Sequence, residues 1–354
     1  MIRRRQFLSS MGGIFLAAGY RLPSVARAVC EPMPDRLNWT SDVIAMQAHD
    51  SHHRAPVVTD VSLRPGGKQM AVVGDDHFIC IYDFSKREFI HNLAKHSDWI
   101  RCARYSPDGN VLVTAGNDRQ LVFWNAQDYS QSPSLRRQEN AILGIDVSPD
   151  STKVATVGFD NRIRIYDMVS KNLSREIVGG GNDNHAVGFS SDGGWIAVGG
   201  RAGAIQVWDV QTGQSVAQYR VHRRRIRSLQ FRADGKILSC GEDQVIAIVD
   251  PLNTEQAALF PRQSAKIFDV AMLDADLLAT AGTDNHVNLW RLSDKEHVGF
   301  LKGHTGTVSC LDSDRTKIVS GGFDTQVRVW EIKKDFVASL PRNGSEIHRD
   351  REIK

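Results

Sequence analysis

Residues 116 to 125 read Gly-Asn-Asp-Arg-Gln-Leu-Val-Phe-Trp-Asn, and residues 158 to 167 repeat their shape as Gly-Phe-Asp-Asn-Arg-Ile-Arg-Ile-Tyr-Asp. The opening G-x-D recurs at Gly74-Asp75-Asp76, Gly241-Glu242-Asp243, Gly282-Thr283-Asp284 and Gly322-Phe323-Asp324, with Gly200-Arg201-Ala202 filling the gap as a seventh. Successive glycines are 42, 42, 42, 41, 41 and 40 residues apart, a period that belongs to propeller blades rather than shorter solenoid units. Six residues after each third position stands a large apolar residue: Tyr82, Trp124, Tyr166, Trp208, Val249, Trp290 and Trp330. Within a unit, Ile100 to Tyr105, Val111 to Ala115 and Leu121 to Trp124 read as short strands. Pro107-Asp108-Gly109 and Gly116-Asn117-Asp118 are the turns between them. One such blade cannot bury both its faces, so seven must stack around an axis as a single domain.

These units resemble the WD40-repeat family over residues 43 to 340, which implies an all-β, seven-bladed propeller. The resemblance also implies a structural hydrogen-bond set per blade. His96, Thr114, Asp118 and Trp124 form one complete set, His304, Ser320, Asp324 and Trp330 another, and His222, Ser239 and Asp243 a fragment. Recurrence from blade to blade argues against reading these His, Asp and Ser residues as hydrolase machinery. Asp42 to Ala48 reads like the outer strand of a blade and is expected to close the ring against the last one, with Phe336 to Leu340 competing for that place. Residues 29–42 are then a lead and 341–354 a polar tail.

The first 28 residues read as an address. Arg4-Arg5-Gln6-Phe7-Leu8 precedes a modest apolar run from Met11 to Tyr20 and then Ala26-Arg27-Ala28, in the order of a signal peptide. The R-R-x-F-L core resembles a twin-arginine export signal, implying a periplasmic protein. A mitochondrial presequence and a lipidated Cys30 are the alternatives. The apolar run is too short to span a bilayer, so the mature chain is expected to carry no transmembrane span.

The 44 basic residues include five in this leader, leaving 39 against 41 acidic ones. A body so near neutrality lacks the footprint for nucleic acid. Cys30, Cys80, Cys102, Cys240 and Cys310 are odd in number and form no C-x-x-C pair, and four of them fall in strands as small apolar residues. No phosphate loop, dinucleotide fingerprint, H-E-x-x-H or G-x-S-x-G is present, and Gly179-Gly180-Gly181 reads as a connecting turn. His49, Asp50, His52 and His53 could ligate a metal, but they align with the loop entering blade 1, where His53 suits the structural histidine.

The strongest chemical signal is His222-Arg223-Arg224-Arg225-Ile226-Arg227, at the loop into the innermost strand of blade 5. In WD40 proteins that loop and the G-x-D turn share the usual docking end. Matching positions in other blades hold Trp99 and Arg101, Asp183 and His185, and Lys266 and Phe268, while Phe159 and Phe323 lie inside turns. A partner site is therefore expected from Trp99, Arg101, Phe159, His185, Arg224, Arg225, Arg227, Lys266, Phe268 and Phe323, with arginines exposed enough to remove at little cost in stability. The alignment lines the channel with Thr59, Arg101, Leu143, His185, Arg227, Phe268 and Ser309, a mixture without a carboxylate cluster. The expected function is a non-enzymatic, monomeric interaction scaffold without a cofactor, binding a protein with an acidic segment. A periplasmic propeller enzyme, lactonase-like or dehydrogenase-like, is the alternative.

Overall fold

A computed structural model of the chain describes residues 41–47, 55–132, 137–179 and 181–332. Among them are twenty-seven strands in seven antiparallel sheets and no helix, hence none able to cross a membrane. Six sheets have four strands, and each sheet is one blade of a propeller. The innermost strands are Val58–Leu63, Ile100–Tyr105, Ile142–Val147, Asn184–Phe189, Ile226–Phe231, Ile267–Met272 and Val308–Ser313. In blade 2 the third strand, Leu121–Asn125, is the outermost of its sheet; beside it Ser132 donates to the Phe123 carbonyl at 2.9 Å, and residues 133–136 lie outside the described residues.

The middle strands are covered on both faces and so lose the alternation of a half-exposed strand. Met70 to Val73 and Leu112 to Ala115 are all buried. Blade faces meet in apolar layers: Val58, Val61 and Val72 of blade 1 pack with Cys310, Val319 and Val327 of blade 7. Cys80, Cys102, Cys240 and Cys310 are all buried, and none of the four is in a disulfide.

Ser41–Ala45 supplies the fourth strand of blade 7, antiparallel to Gln326–Glu331 from the Ser41–Trp330 pair to the Ala45–Gln326 pair. Ile44 and Met46 bury themselves in the layer between blades 7 and 1. The ring is thus closed by the N-terminal strand; its competitor, residues 336–340, lies outside the described residues, as do the leader, Cys30, and His49 to His53.

The G-x-D turn is locked to the strand beside it. In six blades the amide of its central residue donates to the carbonyl preceding the innermost strand, as from Asn117 to Trp99 and from Glu242 to Arg225, both at 2.9 Å. The approach leaves no room for a side chain at the turn's first position. A methyl group on Gly116 would lie 2.1 Å from the Trp99 oxygen, and one on Gly282 1.9 Å from that of Lys266. The repeated glycine is thus explained by close backbone contact.

Candidate interaction site at the channel mouth

The turns and the starts of the innermost strands gather at one end, because Ile100 pairs with Gly116 and Ile226 with Gly241. In all seven blades the pairing register skips the second residue of the innermost strand, a bulge that frees it from the ladder. The skipped residues are Thr59, Arg101, Leu143, His185, Arg227, Phe268 and Ser309. Each is half-buried, as expected of a channel lining. Thr59 and Ser309 turn their hydroxyls to the neighbouring blades, donating to the Ile100 and Val58 carbonyls at 2.5 Å.

The larger members build a charged, aromatic mouth. Arg101 stacks over Trp99 at 4.8 Å and donates through Nε to Asn117 Oδ1 at 2.9 Å. Arg227 stacks over Phe268, also at 4.8 Å. Trp99, Phe159 and Phe323 are 42%, 51% and 55% exposed, enough apolar area to matter to a partner. The arginines differ among themselves. Arg224 is exposed, but Arg225 is half-buried and its Nη2 donates to buried Asp183 Oδ2 at 2.6 Å. The expectation that Arg225 is cheap to remove is corrected, since its loss would strand a buried carboxylate. Glu242 lies 3.6 Å from Arg225 and 3.8 Å from Arg227, beyond hydrogen-bond length. His185 Nε2 lies 3.0 Å from Asp183 Oδ1 but is misaligned for a hydrogen bond. Burial, then the Arg227 and Arg225 charges, pushes the His185 pKa well down, so the ring is neutral.

The structural sets close as expected. With the proton on Nδ1, His96 donates to Asp118 at 2.9 Å and accepts from Thr114 at 2.9 Å, while Trp124 donates to Thr114 at 3.0 Å. His304, Asp324, Ser320 and Trp330 repeat this at 2.8 to 3.0 Å. His222, Asp243 and Ser239 form the set without a tryptophan. Burial pushes Asp118 up, but the His96 contact and the Ser97 and Gln120 amides outweigh it and hold the carboxyl at about 2.

Further along the innermost strands lies a tier that the channel alignment did not find. Asp60 accepts from the Ala103 amide at 2.9 Å and from Arg104 Nη1 at 2.7 Å. Asp146, Asp269 and Asp312 each accept the next blade's backbone amide at 2.7 Å, from Phe189, Leu311 and Leu63. Burial pushes Asp60 up to about 7 and Asp146 and Asp312 to about 6, against the pull of Arg104. The seven bulged residues carry no carboxylate cluster, but the inner strands do, and it stitches blades together. Its signal was an aspartate at the third or fifth place of four inner strands.

The repeat family described as WD domain, G-beta repeat matches residues 46–83, 87–125, 130–167, 180–209, 213–250 and 295–331. Apoptotic protease-activating factor 1 of Rattus norvegicus is 22% identical over 290 residues, covering 81% of this chain and 23% of that protein. Transcription factor unc-37 of Caenorhabditis elegans is 32% identical over 178 residues, covering 44% of this chain and 29% of that protein. Protein groucho of Drosophila melanogaster is 23% identical over 244 residues, covering 67% and 33%. The chain spans a third or less of the length of each of these relatives. Seven sheets in a ring, the locked G-x-D turns and the six matched segments together place this chain in the WD40-repeat family.

Proposed function

We propose that this chain is an exported protein-binding module that docks an acidic segment of its partner on the G-x-D end of the propeller. The observation that supports this most is the pairing of aromatic rings with guanidinium groups around the mouth, exposed Trp99 with Arg101 and half-buried Phe268 with Arg227. Aromatic residues and arginine dominate the energetic centres of interfaces. Arg101, Arg201, Arg225, Arg227 and Lys266 at the mouth and turns outnumber Asp75, Asp183 and Glu242 there, which favours an acidic partner. The partner-binding residues of this reading are Trp99, Arg101, Phe159, His185, Arg224, Arg225, Arg227, Lys266, Phe268 and Phe323.

Affinity capture from the exported fraction tests the docking end. Truncating an interface centre costs about 2 kcal/mol or more, so Trp99→Ala should lower partner recovery at least tenfold. Asp234→Ala, in an exposed turn at the opposite end, should not. Equal recovery from wild type and both variants would overturn the reading. Export rests on the Arg4-Arg5-Gln6-Phe7-Leu8 stretch. Changing Arg4 and Arg5 together to Lys should leave folded precursor in the cytoplasm, because a twin-arginine receptor separates guanidinium from ammonium. Normal arrival in the periplasm, followed by cell fractionation, would exclude that route.

A further inference from the structure

We infer that the channel mouth holds one carboxylate group of a bound polypeptide, an Asp or Glu side chain, between Arg101 of blade 2 and Arg227 of blade 5. The inference rests on the docking end proposed above and names the chemistry that it recognises.

Three guanidinium groups converge here, and the protein neutralises them unequally. Arg225 is matched by Asp183 at 2.6 Å. Arg101 spends its Nε on the neutral Asn117 amide, and among the described residues its two terminal nitrogens meet no acceptor. Among the described residues the Arg227 side chain has no hydrogen bond; the carboxylate beside it is Glu242 at 3.8 Å. Arg101 and Arg227 hold the same bulged place at the start of their inner strands, in blades 2 and 5, and the charges of Arg225 and Arg101 both act on Arg227. Such crowding of like charge is costly unless an anion relieves it.

The aromatic rings set the geometry. A guanidinium held over the ring of Trp99 or Phe268 is restricted in its motion while its terminal nitrogens stay available, and such a fork can meet a carboxylate two bonds at a time. Charge selects the anion. Within 4 Å, Asp183 pairs with Arg225 and Glu242 lies beside Arg225 and Arg227, which leaves the Arg101 guanidinium without a paired carboxylate, Asp98 acting on it only from farther away. A single carboxylate completes the pairing, whereas a phosphate dianion would carry excess negative charge in beside Glu242. The exposed Trp99, Phe159 and Phe323 around the mouth provide apolar contact for the flanking residues of a peptide.

The test uses dye-labelled, amidated hexaglutamate as probe and follows its anisotropy on titration with the purified protein. Hexaglutamine and a hexapeptide bearing one phosphoserine serve as comparison probes. Hexaglutamate should bind saturably and more weakly as salt rises, and hexaglutamine should not bind. Arg101→Gln and Arg227→Gln should each weaken binding at least tenfold with an unchanged melting temperature. Arg227→Lys, which keeps the charge and loses the fork, should fall between and covers the case in which a Gln variant does not fold. Unchanged binding to these variants, equal binding of hexaglutamine, or binding of the phosphopeptide alone would each overturn the carboxylate site. If hexaglutamate fails while Trp99→Ala still loses its partner, the docking end stands and this inference falls.

Discussion

Trp124, Trp290 and Trp330 each donate their indole N–H to a hydroxyl ten residues earlier, at Thr114, Thr280 and Ser320. Trp208 of blade 4 occupies the same place, but Val198 stands where the hydroxyl should be, and the indole nitrogen is buried without a partner among the described residues. A buried donor left unmade costs about 1–3 kcal/mol, and a net hydrogen bond returns about 1. Val198→Thr, nearly equal in size, should therefore stabilise the fold by about 1 kcal/mol in urea denaturation. Thr114→Val should destabilise it by about 2 kcal/mol or more, since it strips partners from both His96 and Trp124. No gain from the first with no loss from the second would mean that these hydroxyls are not structural. The sets in blades 2 and 7 were legible because fixed spacing brings their members together. Blade 3 was not, because Gln138 replaces the histidine and reaches Thr156 at 2.9 Å and the Tyr166 hydroxyl at 3.1 Å.

At the scale of strands, the seam between the two ends of the chain depends on five residues, Ser41–Ala45. They cover the edge of Gln326–Glu331, and Ile44 seals the apolar layer behind it. Deleting residues 29–48 should expose that edge and produce aggregation or a broad, uncooperative melt, measurable by light scattering and calorimetry. An unchanged sharp transition would show that another segment closes the ring. This strand was legible because Asp42 to Ala48 has the length and apolar spacing of an outer strand. Blade 2's short sheet was not, because local pattern sets strand propensity but not which segments finally pair. The bulges escaped notice for a related reason: a skipped residue alters the ladder and leaves the strand's composition unchanged.

Across the whole ring, the exposed end was more legible than the channel wall. Turn residues such as Phe159 and Phe323 are placed by the repeat itself, whereas Asp60, Asp146, Asp269 and Asp312 gain meaning only when neighbouring blades present amides to them. Those carboxylates also tie the fold to pH. All four are raised above their ordinary value by burial, Asp60 to about 7 and Asp146 and Asp312 to about 6, so the folded chain binds protons that the unfolded chain has released. Their contribution is full below about pH 4 and is lost as pH rises through 6 to 7. His297 and His304 act oppositely, since burial lowers their pKa and favours the folded state as pH rises toward the ordinary histidine value. A melt of the wild type alone therefore mixes the two effects. Asp60→Asn separates them: its amide oxygen can still accept the Ala103 N–H, but it no longer titrates, and Arg104 loses its closest counter-charge. The difference in melting temperature between wild type and Asp60→Asn should shift in favour of the variant from pH 5 to pH 8, with most of the change between 5 and 7. A difference constant across that range would mean that Asp60 is ionised throughout, with Arg104 outweighing burial.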